Sequence, residues 1–273
     1  MNDAGPPPED PNDPMGSIRR QIDEIDSKLL ALVAQRLQLA DKVTELKSPQ
    51  SGLPIRPGRE VALLRRLVAE AQAPLERELV VELWRALIAA SLRRQRVIDV
   101  VVGGGRDPTR LYDIARRHFG ARTRIKDVGE PQTALQKAVE NPETTVAVTW
   151  WPAAPGVGAW WPALSETRFQ SLRLLAGLPL LNTTDDPEAA LFAASTPEGA
   201  SGGDISMIFA NDPNHRIQRA LSDGGLEGKE IARAEPRVLV KVHGFLAPED
   251  PRAMALEHSG IKNVRVLGSY ARI

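Results

Sequence analysis

The sequence predicts a multidomain chain built in three parts: an all-α module of three helices, a small α/β segment, and a ferredoxin-like βαββαβ domain. Three observations carry this. Apolar residues recur at helical spacing from Ser17 to Arg96, broken only by two Pro-bearing loops. From Val97 the texture changes to β-branched runs such as RVIDVVVGGG and TTVAVTWW. Beyond residue 204 the strand and helix signals follow the order βαββαβ. The expected divisions are a disordered tail over 1–16, a helical domain over 17–96, an α/β region with its linker over 97–200, and the last domain over 201–273.

The tail, MNDAGPPPEDPNDPMGS, is acidic and Pro-rich and offers little to bury against the entropy of ordering it. Ser17 is the expected N-cap of the first helix. Ile18, Ile22, Ile25, Leu29, Leu32, Val33, Leu37, Leu39, Val43 and Leu46 then follow helical spacing, with no Gly or Pro until Pro49. A helix from Ser17 to about Lys47 is about 45 Å long, more than an ordinary globular helix, and such a helix usually needs another chain. Pro57 and Gly58 precede a second helix opening at Arg59, and Pro74 opens a third that closes at Gln95.

In the α/β segment, PTRLYDIARRHFG reads as a helix closed by glycine, and Gly103-Gly104-Gly105 as a strand-to-helix turn, since it lacks a dinucleotide-binding frame. STPEGASGGD reads as a linker. The last domain reads ISMIFA (strand), HRIQRALSDG (helix), GKEIARA and RVLVKVHGFL (strands), PRAMALEHSG (helix) and VRVLGSY (strand).

Composition narrows the chemistry. Of 273 residues, 42% are hydrophobic and 26% charged, with Lys plus Arg and Asp plus Glu both totalling 35. A net charge of +0 leaves no basic field for nucleic acid or anionic lipid, so any anion site is a local cluster. With no cysteine and four scattered histidines, thiol nucleophiles and thiolate metal sites are excluded and no metal or other cofactor is expected. No apolar run reaches membrane-spanning length and the first residues lack a signal-peptide core, so cytoplasmic residence is the expectation.

Such a local cluster exists in the helical part. Arg36 and Lys47 are eleven residues apart, which at 100° per residue returns to within about 20°, so two cations share one face. Arg19, seventeen residues before Arg36, is rotated about 100° away and suits a neighbouring chain's site instead. Arg59 and Glu60 open the second helix, whose N-terminal N–H groups favour an anion. Ser91 and Gln95, four apart, project together near the end of the third helix. Cations, amide and hydroxyl donors and one carboxylate suit a small dicarboxylate bearing a hydroxyl.

Three strings, IRRQIDEIDSKLLALVAQRLQLADKVTELK, REVALLRRL and the closing Ser91-x-x-x-Gln95, resemble the all-helical (type II) chorismate mutases across essentially the whole module. The resemblance implies conversion of chorismate to prephenate in aromatic amino acid (Phe/Tyr) biosynthesis, the shikimate pathway's branch. It also implies an intertwined homodimer in which Arg19 crosses to the other subunit's site. Arg19 and Arg36 would then bind the two carboxylates with Ser91 helping, Arg59 and Glu60 the ring hydroxyl, and Lys47 and Gln95 the ether oxygen. Of these, Lys47, Gln95, Arg36 and Glu60 would be the catalytic set, with Lys47 carrying most. The reaction is pericyclic and needs no base, nucleophile or metal. Many members have an acid three residues before the arginine that opens the second helix; here that position is Arg56.

The remainder resembles prephenate dehydratase with its ACT-like regulatory end. Thr167-Arg168-Phe169 matches the Thr-Arg-Phe motif, read here as vestigial, and Leu267-Gly268-Ser269-Tyr270 matches the ACT ending. Residues 97–197 supply about one lobe of a two-lobed catalytic region, so dehydratase activity is not expected. Asp212-Pro213-Asn214-His215-Arg216 and Ala234-Glu235-Pro236 depart from the family's two phenylalanine-effector motifs.

Each residue also has a plainer reading. A lone Arg or Lys on a helix is ordinarily a solvated charge, Ser91 a small packing residue, Glu60 a first-turn acid complementing the helix dipole, and the Trp150-Trp151 and Trp160-Trp161 pairs core. Three functions follow: a mutase with a degenerate appendage, a bifunctional mutase and dehydratase, and a non-catalytic metabolite-sensing protein.

Overall fold

The computed structural model describes residues 13–46, 52–154, 158–181, 184–195 and 199–273. Of the tail expected over 1–16, residues 1–12 lie outside them, while 14–16 are helical. The chain divides into two compact units, Met1–Ser48 and Pro49–Ile273.

In the first unit the described residues form one helix, α1 (Pro14–Leu46), 33 residues long. It opens about a turn before the expected Ser17 cap. Asp13 Oδ1 accepts the N–H of Met15 at 3.0 Å, and the Ser17 N–H closes onto the Asp13 carbonyl at 3.1 Å. An aspartate bonding an N–H two residues on is a helix start, and Pro14 at the first helical position has no N–H to leave unpaired. None of the helix's side chains is buried.

The second unit begins with a helical pair, α2 (Pro57–Glu70) and α3 (Arg77–Gln95). The third helix starts three residues later than expected from Pro74. The Leu75 N–H bonds the Gln72 carbonyl at 2.9 Å, and Glu76 is extended at φ −74, ψ 144, so a turn fills the space before the helix.

A nine-stranded sheet follows, made of β1 (Asp99–Gly103), β2 (Arg124–Asp127), β3 (Thr145–Trp150), β4 (Leu172–Leu178), β5 (Ala189–Ala194), β6 (Asp204–Asn211), β7 (Gly228–Ala234), β8 (Arg237–His243) and β9 (Lys262–Ala271). The helices between them are α4 (Thr109–Phe119), α5 (Pro131–Glu140), α6 (Ile217–Asp223) and α7 (Pro251–Met254), with short 3₁₀ turns at 161–165, 167–169 and 255–259. Spatially the strands run β2-β1-β3-β5-β4-β9-β6-β8-β7. β1 is parallel to β2 and β3, whereas β5 is antiparallel to β3 and β4. The last four strands, ordered β9-β6-β8-β7, realise the expected βαββαβ unit.

The expected boundary near residue 200 is therefore bridged by the sheet. β4 meets β9 in parallel at Leu174↔Gly268, and here glycine is required. A Cβ on Gly268 would lie 2.2 Å from the Leu174 carbonyl oxygen, and its φ is +145. Arg265 on β9 reinforces the seam, donating to the carbonyls of Leu164, Phe169, Gln170 and Leu172 at 2.7–3.0 Å. Burial, then the nearby Arg173 cation, lowers its guanidinium to about 10. Lys241 on β8 adds an ion pair to Asp186.

Side-chain alternation allots the core. Val100, Val102, Val146 and Val148 face one side, where they meet Val61 and Leu64 of α2, Ile88 and Leu92 of α3, and Ile114 of α4. Val101 and Ala147 face the other, with Ala134 and Leu135 of α5, Trp151, Trp160 and Trp161. These three tryptophans are thus core, with T-shaped contacts such as Trp161 on Phe209, whereas Trp150 is half-buried against the first side. Consequently α2 and α3, expected within a separate helical domain, form a layer on the sheet.

Candidate functional site

The expected site residues fall in both units. On α1, Arg19 is exposed and Arg36 half-buried. Ile18, Ile22, Ile25, Leu29, Leu32, Leu39 and Val43 of the same helix are all at least 45% exposed. At 100° per residue they form one stripe, and Arg36 lies about on its centreline, in phase with Ile18. An apolar stripe of this length is uncommon on the surface of a helix standing in water. Lys47, expected in phase with Arg36, lies outside the described residues.

In the larger unit, Arg59 is exposed on the first turn of α2. Glu60, next to it, is turned inward and only 8% exposed. Its Oε1 accepts the backbone N–H of Arg56 at 3.3 Å, and its Oε2 forms an ion pair with Arg85 of α3. Arg56, which stands where many family members have an acid, thus contributes to the start of α2 through its backbone N–H, a group that any residue other than proline would supply. The Arg85 guanidinium also donates to the His118 carbonyl on α4 from Nε at 3.1 Å and Nη2 at 2.6 Å.

Ser91 is buried and its hydroxyl donates to the Leu87 carbonyl one turn back at 2.9 Å. Gln95 is half-buried at the last position of α3. Along α3 these two stand about 9 and 15 Å beyond Arg85, at 1.5 Å per residue. Arg85 was missed from sequence. Its signal is position: it falls in the buried stripe Val81, Arg85, Ile88, Leu92, where a cation requires a partner.

Residues 18–96 match the family model of chorismate mutase type II. The mutase-type region thus covers α1, α2 and α3 almost entirely. A bifunctional chorismate mutase/prephenate dehydratase of Neisseria gonorrhoeae is 36% identical over 102 residues, 37% of this chain and 27% of the relative. The protein of the same name from Pseudomonas aeruginosa is 30% identical over 113 residues, 40% of this chain and 31% of the relative. A chorismate mutase of Methanocaldococcus jannaschii is 46% identical over 54 residues, 19% of this chain and 54% of the relative. The chain therefore spans between about a quarter and about half the length of these curated relatives. Among solved structures, a prephenate dehydratase in complex with L-Phe from Arthrobacter aurescens is 12% identical, with a TM-score of 0.46, covering 64% of this chain and 90% of that one.

The remaining candidates divide between surface and interior, with Thr167, Arg168 and His215 exposed and Phe169 and Asp212 buried. Phe169 is fully buried, while Arg168 pairs with Glu166 at 2.7 Å and lies over the Phe169 ring. Thr167-Arg168-Phe169 forms a 3₁₀ turn whose Phe169 carbonyl is held by Arg265. Asp212 is buried. Its burial pushes the carboxyl up, but the N–H groups of Arg216 and Ile217 and the Arg233 guanidinium outweigh this and hold it below the usual range. His215, at φ 53, pairs with Glu235 at 3.2 Å.

Among the described residues, no group of three or more His, Asp or Glu is arranged to hold a metal, and no helix is long and apolar enough to cross a membrane.

Proposed function

We propose that the protein converts chorismate to prephenate in aromatic amino acid biosynthesis, acting in the cytoplasm as a homodimer through its first three helices. The observation that carries this reading is the uncovered stripe of α1 with Arg36 along its centre: whatever covers the apolar surface also encloses the cation. A second copy of α1 would do so, and would bring its own Arg19 to the site.

Catalysis then follows from charge and confinement. Arg36 and the second copy's Arg19 bind the two carboxylates with Ser91, while Arg59 and Glu60 hold the ring hydroxyl. Together they select the compact conformer in which the bonds that break and form lie against each other. Lys47 and Gln95 donate to the ether oxygen, where negative charge grows as its bond to the ring stretches. The bond reorganisation is internal to the substrate, so no proton transfer or nucleophile enters it.

The names of two relatives raise a second reading, a combined mutase and dehydratase. Purified protein supplied with chorismate distinguishes the two. Consumption of chorismate with accumulation of prephenate is expected; no consumption would sink the mutase reading. Phenylpyruvate that disappears in Thr167→Ala would establish the second activity.

A further inference from the structure

We propose that Arg85 is a positioning residue for the mutase reaction, setting the Glu60 carboxylate for the substrate's ring hydroxyl while the His118 carbonyl on α4 holds the arginine in place. This rests on the mutase reading above. It also gives the α/β segment a role in the chemistry of the helices before it.

The geometry supplies each link. Arg85 is 4% exposed and Glu60 8%, so water competes little for either. The guanidinium is a rigid fork with five N–H donors. Two of its edges are used: Nη1 reaches Glu60 Oε2, while Nε and Nη2 converge on the His118 carbonyl at 3.1 and 2.6 Å. Its orientation is therefore fixed from the α4 side. The other carboxylate oxygen takes the Arg56 N–H at 3.3 Å. A carboxylate offers about four lone-pair directions, so with the Arg56 N–H on one oxygen and Arg85 on the other it retains capacity for a substrate hydroxyl. A lysine could supply the charge but not the fork, and could not span Glu60 and His118 in the same plane.

The test uses the full-length protein with Arg85→Gln, Arg85→Lys, Glu60→Gln and the Glu60→Gln/Arg85→Gln pair, each assayed on chorismate and on a chorismate analogue lacking the ring hydroxyl. Arg85→Gln is expected to lower kcat/KM for chorismate on the order of tenfold to a hundredfold, as a misplaced group does, and to leave turnover of the analogue unchanged. Arg85→Lys should recover part of the loss, and the double variant should be no worse than Glu60→Gln alone. Equal losses on both substrates, or losses that multiply in the double variant, would overturn the proposal and leave Arg85 a buried structural cation. A gain in turnover on Arg85→Gln would also overturn it, because Arg85 would then be withholding the carboxylate. Should Arg85→Gln fail to fold, Arg85→Lys and the double variant, which leaves no lone buried charge, carry the comparison. A wild-type protein that does not consume chorismate removes the mutase reading itself, an outcome distinct from any pattern among the variants.

Discussion

The helix α1 and the pair α2–α3 have the same kind of sequence, apolar residues at helical spacing with arginines between them, yet they reach opposite states. α1 buries none of its side chains. α2 and α3 bury Val61, Leu64, Ile88 and Leu92 against the sheet, and even the charged Glu60 and Arg85 go inside. The difference teaches that periodicity fixes which face must be covered and is silent on what covers it. In α2–α3 the cover belongs to the same chain, and arginine is spent on joining segments: Arg85 to α4, and Arg65 to the carbonyls of Arg272, Ser201, Gly202 and Gly203. In α1, by contrast, Arg19 is exposed and Arg36 half-buried.

Four experiments would sharpen or break that contrast. The largest effect is expected from Lys47→Ala, which should remove about a hundredfold to a thousandfold of chorismate turnover, the scale of losing one preorganised donor. Helical circular dichroism should stay intact, and retained turnover would refute the role. Next, Leu29→Asp in the α1 stripe should convert a dimer to a monomer in sedimentation and abolish turnover. All five tryptophans lie in the larger unit, so the thermal transition followed by tryptophan fluorescence should barely move. A dimer that survives would show that the stripe is covered otherwise.

Gly268→Ala should do the reverse, because the added methyl meets the Leu174 carbonyl. The expectation is a loss of about 1–3 kcal/mol in the tryptophan-monitored transition, as for overpacking elsewhere, with the oligomeric state unchanged. An unaltered midpoint would mean that the β4–β9 seam gives way without cost.

The smallest effect concerns pH. Full burial, and then the Arg85 charge, push the His118 imidazole well below its usual range, so it is neutral when folded, whereas the unfolded chain takes up a proton near pH 6.5. Stability from this group is therefore complete above about pH 6.5 and falls as the pH drops below it, by up to about 1.4 kcal/mol per unit. Denaturant midpoints measured from pH 7.5 to 5.5 should decline, and His118→Gln should flatten the decline. An equal slope in the variant would assign the dependence to other groups.

Much of the fold could be read from residues. The βαββαβ order, the glycine turn after β1 and the three helices all appear near their expected places, because apolar alternation and Gly or Pro punctuation are local signals. Elements escaped where locality misleads. β2, RIKD, is a sheet-edge strand with little apolar content to mark it. β5, AALFAA, has the composition of a helix, yet pairing on both sides makes it a central strand. The candidate residues are named by the family pattern, yet nothing in that pattern hints at the tie between Glu60 and Arg85, twenty-five positions away.

By itself, then, the sequence determined three helices, a βαββαβ unit and a family-matched set of polar positions, since each depends on neighbours a few residues apart. Tertiary structure alone decided that α2 and α3 join the sheet rather than stand as a separate domain, that Gly268 and Arg265 fuse two expected domains into one sheet, and that Arg85 holds Glu60. Those outcomes depend on which buried groups find partners across long separations, and burial of a charge or a carbonyl is tolerated only where such a partner is in reach.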